Sequence, residues 1–179
     1  MTKNIGVYCA SSDRVDAKYR ASAEALGRLL AEGGHTLVYG GGNVGLMGVV
    51  ARAVHAYGGR VYGVIPEALK EIEGVAYEVA DELVITQTMQ ERKKLIFTRA
   101  EAFIVLPGGF GTLEEFMEVL TLRHLGYHDK PIALVNTDGF YDPLLALCEH
   151  FYREHFARER MRSLFHVAAD PAEALARIC

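Results

Sequence analysis

The run Phe103-Ile104-Val105-Leu106 leads directly into Pro107-Gly108-Gly109-Phe110-Gly111-Thr112-Leu113-Glu114-Glu115, and this join constrains the fold of the 179-residue chain more than any other feature. A short apolar run bounded by turn residues reads as a strand buried on both faces. The glycines let the backbone turn its N–H groups inward without a Cβ in the way. The helix that follows offers its uncapped amides and dipole to an anion, and Thr112 adds a hydroxyl donor. Strand, glycine loop and helix in that order form phosphate-binding architecture. The plainer reading is a tight turn with Thr112 as helix N-cap and the glutamates complementing the dipole. Three glycines within four residues exceed what a cap requires.

The same alternation runs through the chain. Ile5 to Ala10, Thr36 to Tyr39, Arg60 to Ile65, Glu82 to Ile85, Ala102 to Leu106 and Pro131 to Asn136 read as strands. Helical patterns occupy Asp16 to Ala31, Leu46 to Tyr57, Met89 to about Arg99 and Tyr141 to Phe156, and Asp170-Pro171 starts a last short helix. The order predicts an α/β fold, a Rossmann-like doubly wound parallel sheet with helices on both faces, in one nucleotide-binding domain over residues 1–179. Ligands of such sheets sit beyond the carboxyl ends of the strands, so the loops after Ala10, Tyr39, Ile65 and Leu106 carry the chemistry. Pro66 to Asp81 is the least periodic stretch and is read as a mobile or substrate-covering loop.

Two further constellations matter. In Met89-Gln90-Glu91-Arg92-Lys93, helical spacing puts Met89, Arg92, Lys93 and Ile96 on one face. Either the two cations snorkel past apolar neighbours, or they face the glycine loop and its glutamates while Met89 packs on a purine. Tyr39-Gly40-Gly41-Gly42-Asn43-Val44-Gly45-Leu46-Met47-Gly48 satisfies G-x-G-x-x-G, but the next strand ends in Pro66 without the acidic residue a dinucleotide site wants. Its glycines serve either close packing or direct ligand contact. On period alone, Leu113, Phe116, Met117 and Leu120 share the inner face of the helix after the main loop, and Glu114, Glu115 and Glu118 are solvated. A carboxylate beside a phosphate is repulsive, however, so a ligand centre that gains positive charge is the natural reason to keep one there. A ribosyl carbon losing its base is such a centre.

Composition excludes several classes. A net charge of -4 with both signs interspersed gives no basic stripe for nucleic acid. No stretch approaches eighteen apolar residues, so no membrane partner is expected. Three cysteines without C-x-x-C spacing suit a reducing, cytoplasmic setting rather than a disulfide framework. His124 and His128 are the one histidine pair at helical spacing, with Gly126 between them, and no metal site is expected.

Taken together, Gly40-Gly41-Gly42, Gly45-Leu46-Met47-Gly48, Met89 followed by Arg92-Lys93, and Pro107 through Glu115 closely resemble the LONELY GUY family over residues 4 to about 160. Members of that family are cytokinin riboside 5′-monophosphate phosphoribohydrolases, often labelled lysine decarboxylases, and many bacterial members also cleave AMP. The resemblance implies hydrolysis of the N-glycosidic bond of a nucleoside 5′-monophosphate, giving free base and ribose 5-phosphate without a cofactor. It makes Arg92 and Glu115 the catalytic pair. It assigns nucleotide binding to Lys93, Gly108, Gly109, Gly111, Thr112 and Glu114, and more weakly to Met89 and Thr121. It also implies a homodimer with active sites close to the subunit interface. Two rival readings share some motifs: a pyridoxal phosphate decarboxylase with Lys93 as Schiff-base lysine, and a non-catalytic carrier of a phosphate-bearing ligand resembling the molybdenum-cofactor carriers.

Overall fold

The computed structural model describes residues 1–73 and 76–179. The elements are β1 (Asn4–Tyr8), α1 (Ala17–Glu32), β2 (Thr36–Tyr39), α2 (Gly45–Ala56), β3 (Arg60–Pro66), α3 (Glu67–Glu73) and β4 (Glu82–Thr86). They continue as α4 (Met89–Arg99), β5 (Ala102–Val105), α5 (Phe110–His124), β6 (Ile132–Val135), α6 (Asp142–Arg153), β7 (His166–Ala168) and α7 (Pro171–Ile178).

The period-two alternation of each strand sorts its side chains into two cores, one on either face of the sheet. Ile5 and Val7 of β1, Leu37 and Tyr39 of β2, and Ala102 and Ile104 of β5 pack with Leu26 and Leu30 of α1, Val50 and Val54 of α2 and Ile178 of α7. Tyr8, Val38, Phe103 and Val105 point the other way, onto Ile96 of α4 and Phe116, Val119 and Leu120 of α5. Helices on both faces leave no strand side chain of the central strands in water, which is why those strands read as unbroken apolar runs. Phe103 is fully buried and stacks on Tyr8 at 5.6 Å between ring centroids. Its truncation to Ala should cost about 3–5 kcal/mol.

All seven strands are parallel, in the order β4-β3-β2-β1-β5-β6-β7. The winding therefore reverses between β1 and β5, and the chain leaves these two neighbours in opposite directions along the sheet. That divergence opens a crevice at their carboxyl ends. The loops after β1 and β5 are tied across it by a hydrogen bond from Ala10 N to Pro107 O at 3.2 Å.

Two expectations change. The stretch from Pro66 to Asp81 is not all loop: Glu67–Glu73 forms α3, Ala76 bridges Gly42, and residues 74 and 75 lie outside the described part. Glu, Ala, Leu and Lys are strong helix formers and make up six of the seven residues between Pro66 and Gly74, a stretch too short to show a period. The second addition is β7, a three-residue edge strand, two of whose side chains are exposed. So short and half-solvated a strand has no hydrophobic signature.

Candidate active site

The loop between β5 and α5 forms one corner of the crevice. Gly109 is the residue that caps α5, and no side chain caps the helix. Thr112 is thus not the N-cap that the plainer sequence reading made it; it stands inside the first turn, and it is buried. Among the described residues, the amides of Phe110, Gly111 and Thr112 have no acceptor, the first closure being Leu113 N to Gly109 O at 3.0 Å. A Cβ on Gly108 would lie 2.1 Å from Thr112 Oγ1, so this turn closes only around glycine. Tyr141 braces the loop from behind by donating its hydroxyl to Leu106 O at 2.8 Å.

Opposite it, α4 starts with a capping box. Thr88 Oγ1 accepts from Glu91 N at 3.1 Å, and Glu91 Oε2 accepts from Thr88 N at 3.3 Å and from Gln87 N at 2.9 Å. Glu91 is consumed in holding the helix start, and the next residue, Arg92, is turned inward. Its side chain is almost wholly buried, at 9% exposure. The guanidinium has only long contacts, Nη2 to Gly40 O at 3.5 Å and Nη1 to Met89 Sδ at 3.7 Å, and Nε has no partner. Among the described residues no carboxylate lies within ion-pair distance of it. A buried cation so poorly satisfied is costly, and an anionic or oxygen-rich ligand is what would satisfy it.

Glu115 lies one turn into α5. Its Oε1 is buried and unpartnered. Burial pushes the carboxyl up to about 7, against the nearby Arg92 charge, which holds it down. The helix face that turns inward carries Thr112, Phe116, Val119 and Leu120, with Glu115 at its border. Glu115 is therefore not solvated as period alone suggests, while Glu114 is exposed.

Arg92 and Glu115 line one cavity of about 410 Å³ together with Tyr8, Cys9, Ser11, Ser12, Gly40, Met47, Ile65, Leu69, Met89, Gly109, Phe110, Gly111, Thr112 and Glu114. Of the residues singled out in the sequence, Met89, Arg92, Gly109, Gly111, Thr112, Glu114 and Glu115 meet there. Gly108 turns toward an adjoining hollow with Arg14, Tyr19 and Phe140. Lys93 stands outside, its ammonium bonded to Glu114 Oε1 at 2.6 Å and paired with Glu118 Oε1 at 3.4 Å. The Glu114 hydrogen bond holds that ammonium protonated above its usual range. Thr121 is exposed further along α5 and lines none of these hollows among the described residues. Tyr8, Cys9 and Leu69 were not legible as site residues. Tyr8 and Cys9 end an apolar run that the divergence of β1 and β5 opens to the cavity, and Leu69 belongs to the short α3, which shows no period.

The second glycine loop is used differently. Asp13 Oδ1 accepts from Gly45 N at 2.9 Å, and Ala10 O accepts from Leu46 N at 2.9 Å and Met47 N at 3.3 Å. The first-turn amides of α2 are thereby taken by the protein itself. Gly45 adopts φ 61°, and a Cβ there would lie 2.3 Å from the Ser11 carbonyl carbon. Gly45 and Gly48 serve close packing of backbone on backbone, whereas Gly40 lines the cavity, and a dinucleotide pyrophosphate finds no free start of α2 here.

Fold and site together define a class: a Rossmann-like α/β enzyme in which the open start of α5 shares a cavity with a buried Arg and a half-buried Glu whose Oε1 is shut away from water. Residues 47–178 match the family model described as "Possible lysine decarboxylase". The cytokinin riboside 5′-monophosphate phosphoribohydrolase LOG of Oryza sativa subsp. japonica is 44% identical over 98% of this chain and 72% of its own length. The cytokinin riboside 5′-monophosphate phosphoribohydrolase of Rhodococcoides fascians is 44% identical over 98% of this chain and 89% of its own. Among solved structures, the molybdenum cofactor binding protein of the phototrophic bacterium Rippkaea orientalis superposes with a TM-score of 0.74 at 22% identity, covering 98% of this chain and 94% of that one. That likeness is one of fold.

The chain belongs to the cytokinin riboside 5′-monophosphate phosphoribohydrolase family. It is a hydrolase, splitting a nucleotide into free base and ribose 5-phosphate. The label of lysine decarboxylase gains nothing from the site, because no lysine lines the cavity among the described residues and Lys93 is engaged by two carboxylates outside it.

Proposed function

We propose that the substrate is a cytokinin riboside 5′-monophosphate, AMP or both, and that Arg92 and Glu115 are the catalytic pair. The observation that carries this reading is that both heads are buried beside the same cavity and neither is paired with the other. The first-turn amides of α5 and the Thr112 hydroxyl hold the 5′-phosphate, with Gly108, Gly109 and Gly111 keeping the turn clear. Arg92 holds the substrate's oxygens from the opposite wall. Glu115, as carboxylate, takes a proton from water as that water adds to the ribosyl carbon, and its charge stabilises the cationic character that the carbon gains as the glycosidic bond breaks. The proton passes from Glu115 to the base nitrogen that the broken glycosidic bond leaves with the electron pair, so one water is consumed, the carboxylate is regenerated, and free base and ribose 5-phosphate leave. Met89, Leu69 and Phe110 offer the apolar wall for the base, and Glu114 with Lys93 forms the rim.

A homodimer is part of the proposal. The family resemblance implies it, and Leu125 and Tyr127 are exposed at the end of the helix that carries Thr121. A cytoplasmic location suits three free thiols. No helix of the described residues is long and apolar enough to cross a membrane. The whole chain acts as one domain around one sheet. Incubation with AMP and, separately, with isopentenyladenosine monophosphate should release base and ribose 5-phosphate, and Glu115→Gln should not; equal release by the variant refutes the assignment. The ratio of the two rates gives the base preference.

A further inference from the structure

Among the described residues no carboxylate pairs with Arg92, so its position depends on what it rests against. That support is the turn Gly40–Gly42. A Cβ on Gly40 would lie 1.9 Å from Arg92 Nη2, and among the described residues the Gly40 carbonyl is the one backbone acceptor that the guanidinium reaches. Whatever sets the height of this turn sets the guanidinium.

The turn is held from the side away from the cavity. Tyr77 N donates to Gly41 O at 2.9 Å, Ala76 bridges Gly42, and Tyr39 donates its hydroxyl to Gly42 O at 3.2 Å. Residues 76 and 77 are themselves anchored by the Tyr77 side chain. It is buried, packs against the His55 imidazole at 5.3 Å between centroids, and places its hydroxyl 2.8 Å from His55 Nδ1. His55 Nε2 lies 3.1 Å from Asp81 Oδ2, and that same oxygen accepts from Val61 N at 2.8 Å. Asp81 as a carboxylate only accepts, so Nε2 carries the proton; in the neutral imidazole Nδ1 is then the acceptor and Tyr77 the donor. The order of bonds is Tyr77 to His55, His55 to Asp81, and Asp81 to the β3 backbone. β3 lies beside β2, the strand that runs into the turn, so the closed circuit ties both sides of the turn to the sheet.

We infer that His55, Tyr77 and Asp81 form a clasp that positions Arg92 for the reaction by fixing the Gly40–Gly42 turn beneath it. None of the three lines the cavity. They are positioning residues, and the clasp rests on the proposed role of Arg92.

The test is a double-mutant cycle between Tyr77→Phe, which removes one hydroxyl and keeps the ring, and Arg92→Lys. It is read as kcat with AMP and as the Kd of ribose 5-phosphate by calorimetry. Tyr77→Phe alone should lower kcat and weaken ribose 5-phosphate binding by about fivefold to tenfold while the melting temperature moves by no more than about 3 °C. On the Arg92→Lys background the same change should cost less than about twofold, because the group it positions is gone. The same factor on both backgrounds, or no loss on either, overturns the clasp. Should Tyr77→Phe fail to fold, Asp81→Asn, which keeps a carbonyl for the Val61 N–H, takes its place in the cycle. If the wild type releases no base, the catalytic reading of the site falls, and the ribose 5-phosphate cycle alone decides: coupling supports the clasp and independent factors overturn it.

Discussion

Replacing Glu115 by Gln should leave a protein that is more stable in mild base and nearly inactive. In a flexible chain this carboxyl ionises around its ordinary 4.5, whereas burial raises it to about 7 in the fold. The folded state therefore holds the proton more tightly than the unfolded state. Below the lower value both states are protonated and the side chain costs the fold nothing. Above the upper value both are ionised, and the fold carries the whole cost of a desolvated carboxylate. At roughly 1.4 kcal/mol per tenfold change in ionisation, that cost is about 3 kcal/mol, an upper bound because the residue lines a cavity that admits water. Urea unfolding of wild type and variant at about pH 4.5 and about pH 8.5 reads it directly. The stability advantage of Glu115→Gln should grow by up to about 3 kcal/mol between the two, while base release falls by roughly 10²- to 10⁴-fold. An equal stability difference at both pH values would refute the argument from burial, and full activity in the variant would refute the role in chemistry.

Other outcomes follow from the same geometry. The kcat/KM of the wild type should rise through about pH 7 as Glu115 ionises, and a profile that falls there would count against its action as a base. Arg92 holds the Glu115 carboxyl down, so Arg92→Gln should move that rising limb to higher pH as well as weaken substrate binding; an unmoved limb would separate the two groups. Gly40→Ala should lower turnover at least about tenfold with little change in unfolding free energy, because its Cβ meets the ends of two long side chains, the Arg92 guanidinium and Met47 Sδ, and no backbone. Gly109→Ala places a methyl where nothing lies within 4 Å, so stability should stay within about 0.5 kcal/mol while the KM for AMP rises.

The six longer strands and the main helices were legible because each is an apolar run or a helical period bounded by Gly, Pro or a cap. Ends differ by a few residues, as with α6, which stops at Arg153 rather than Phe156. The open turn at the head of α5 was legible because three glycines within four residues exceed what a cap requires. Glu115 was not legible from period, since it stands at the border of an amphipathic helix. Only the tilt of α5 against β1 and β5 decides that its oxygen is buried. The role of Gly40–Gly48 stayed open in the sequence for a similar reason. Asp13 lies thirty-two positions before Gly45, and nothing local says that its carboxylate reaches the start of α2.

That contact bears on what the cavity admits. Two glycine turns flank the carboxyl end of β1, one after β2 and one after β5, each at the head of a helix. Asp13 is an anion tethered to one of them, present at an effective concentration that a free phosphate group would have to outcompete. The molecule thus carries its own blocker at the seat where a second phosphate of a larger cofactor would rest, and leaves the neighbouring seat to an outside ligand. On the proposed reading, preference for a ligand with a single phosphate comes from this self-occupation, by a carboxylate that stands outside the cavity lining.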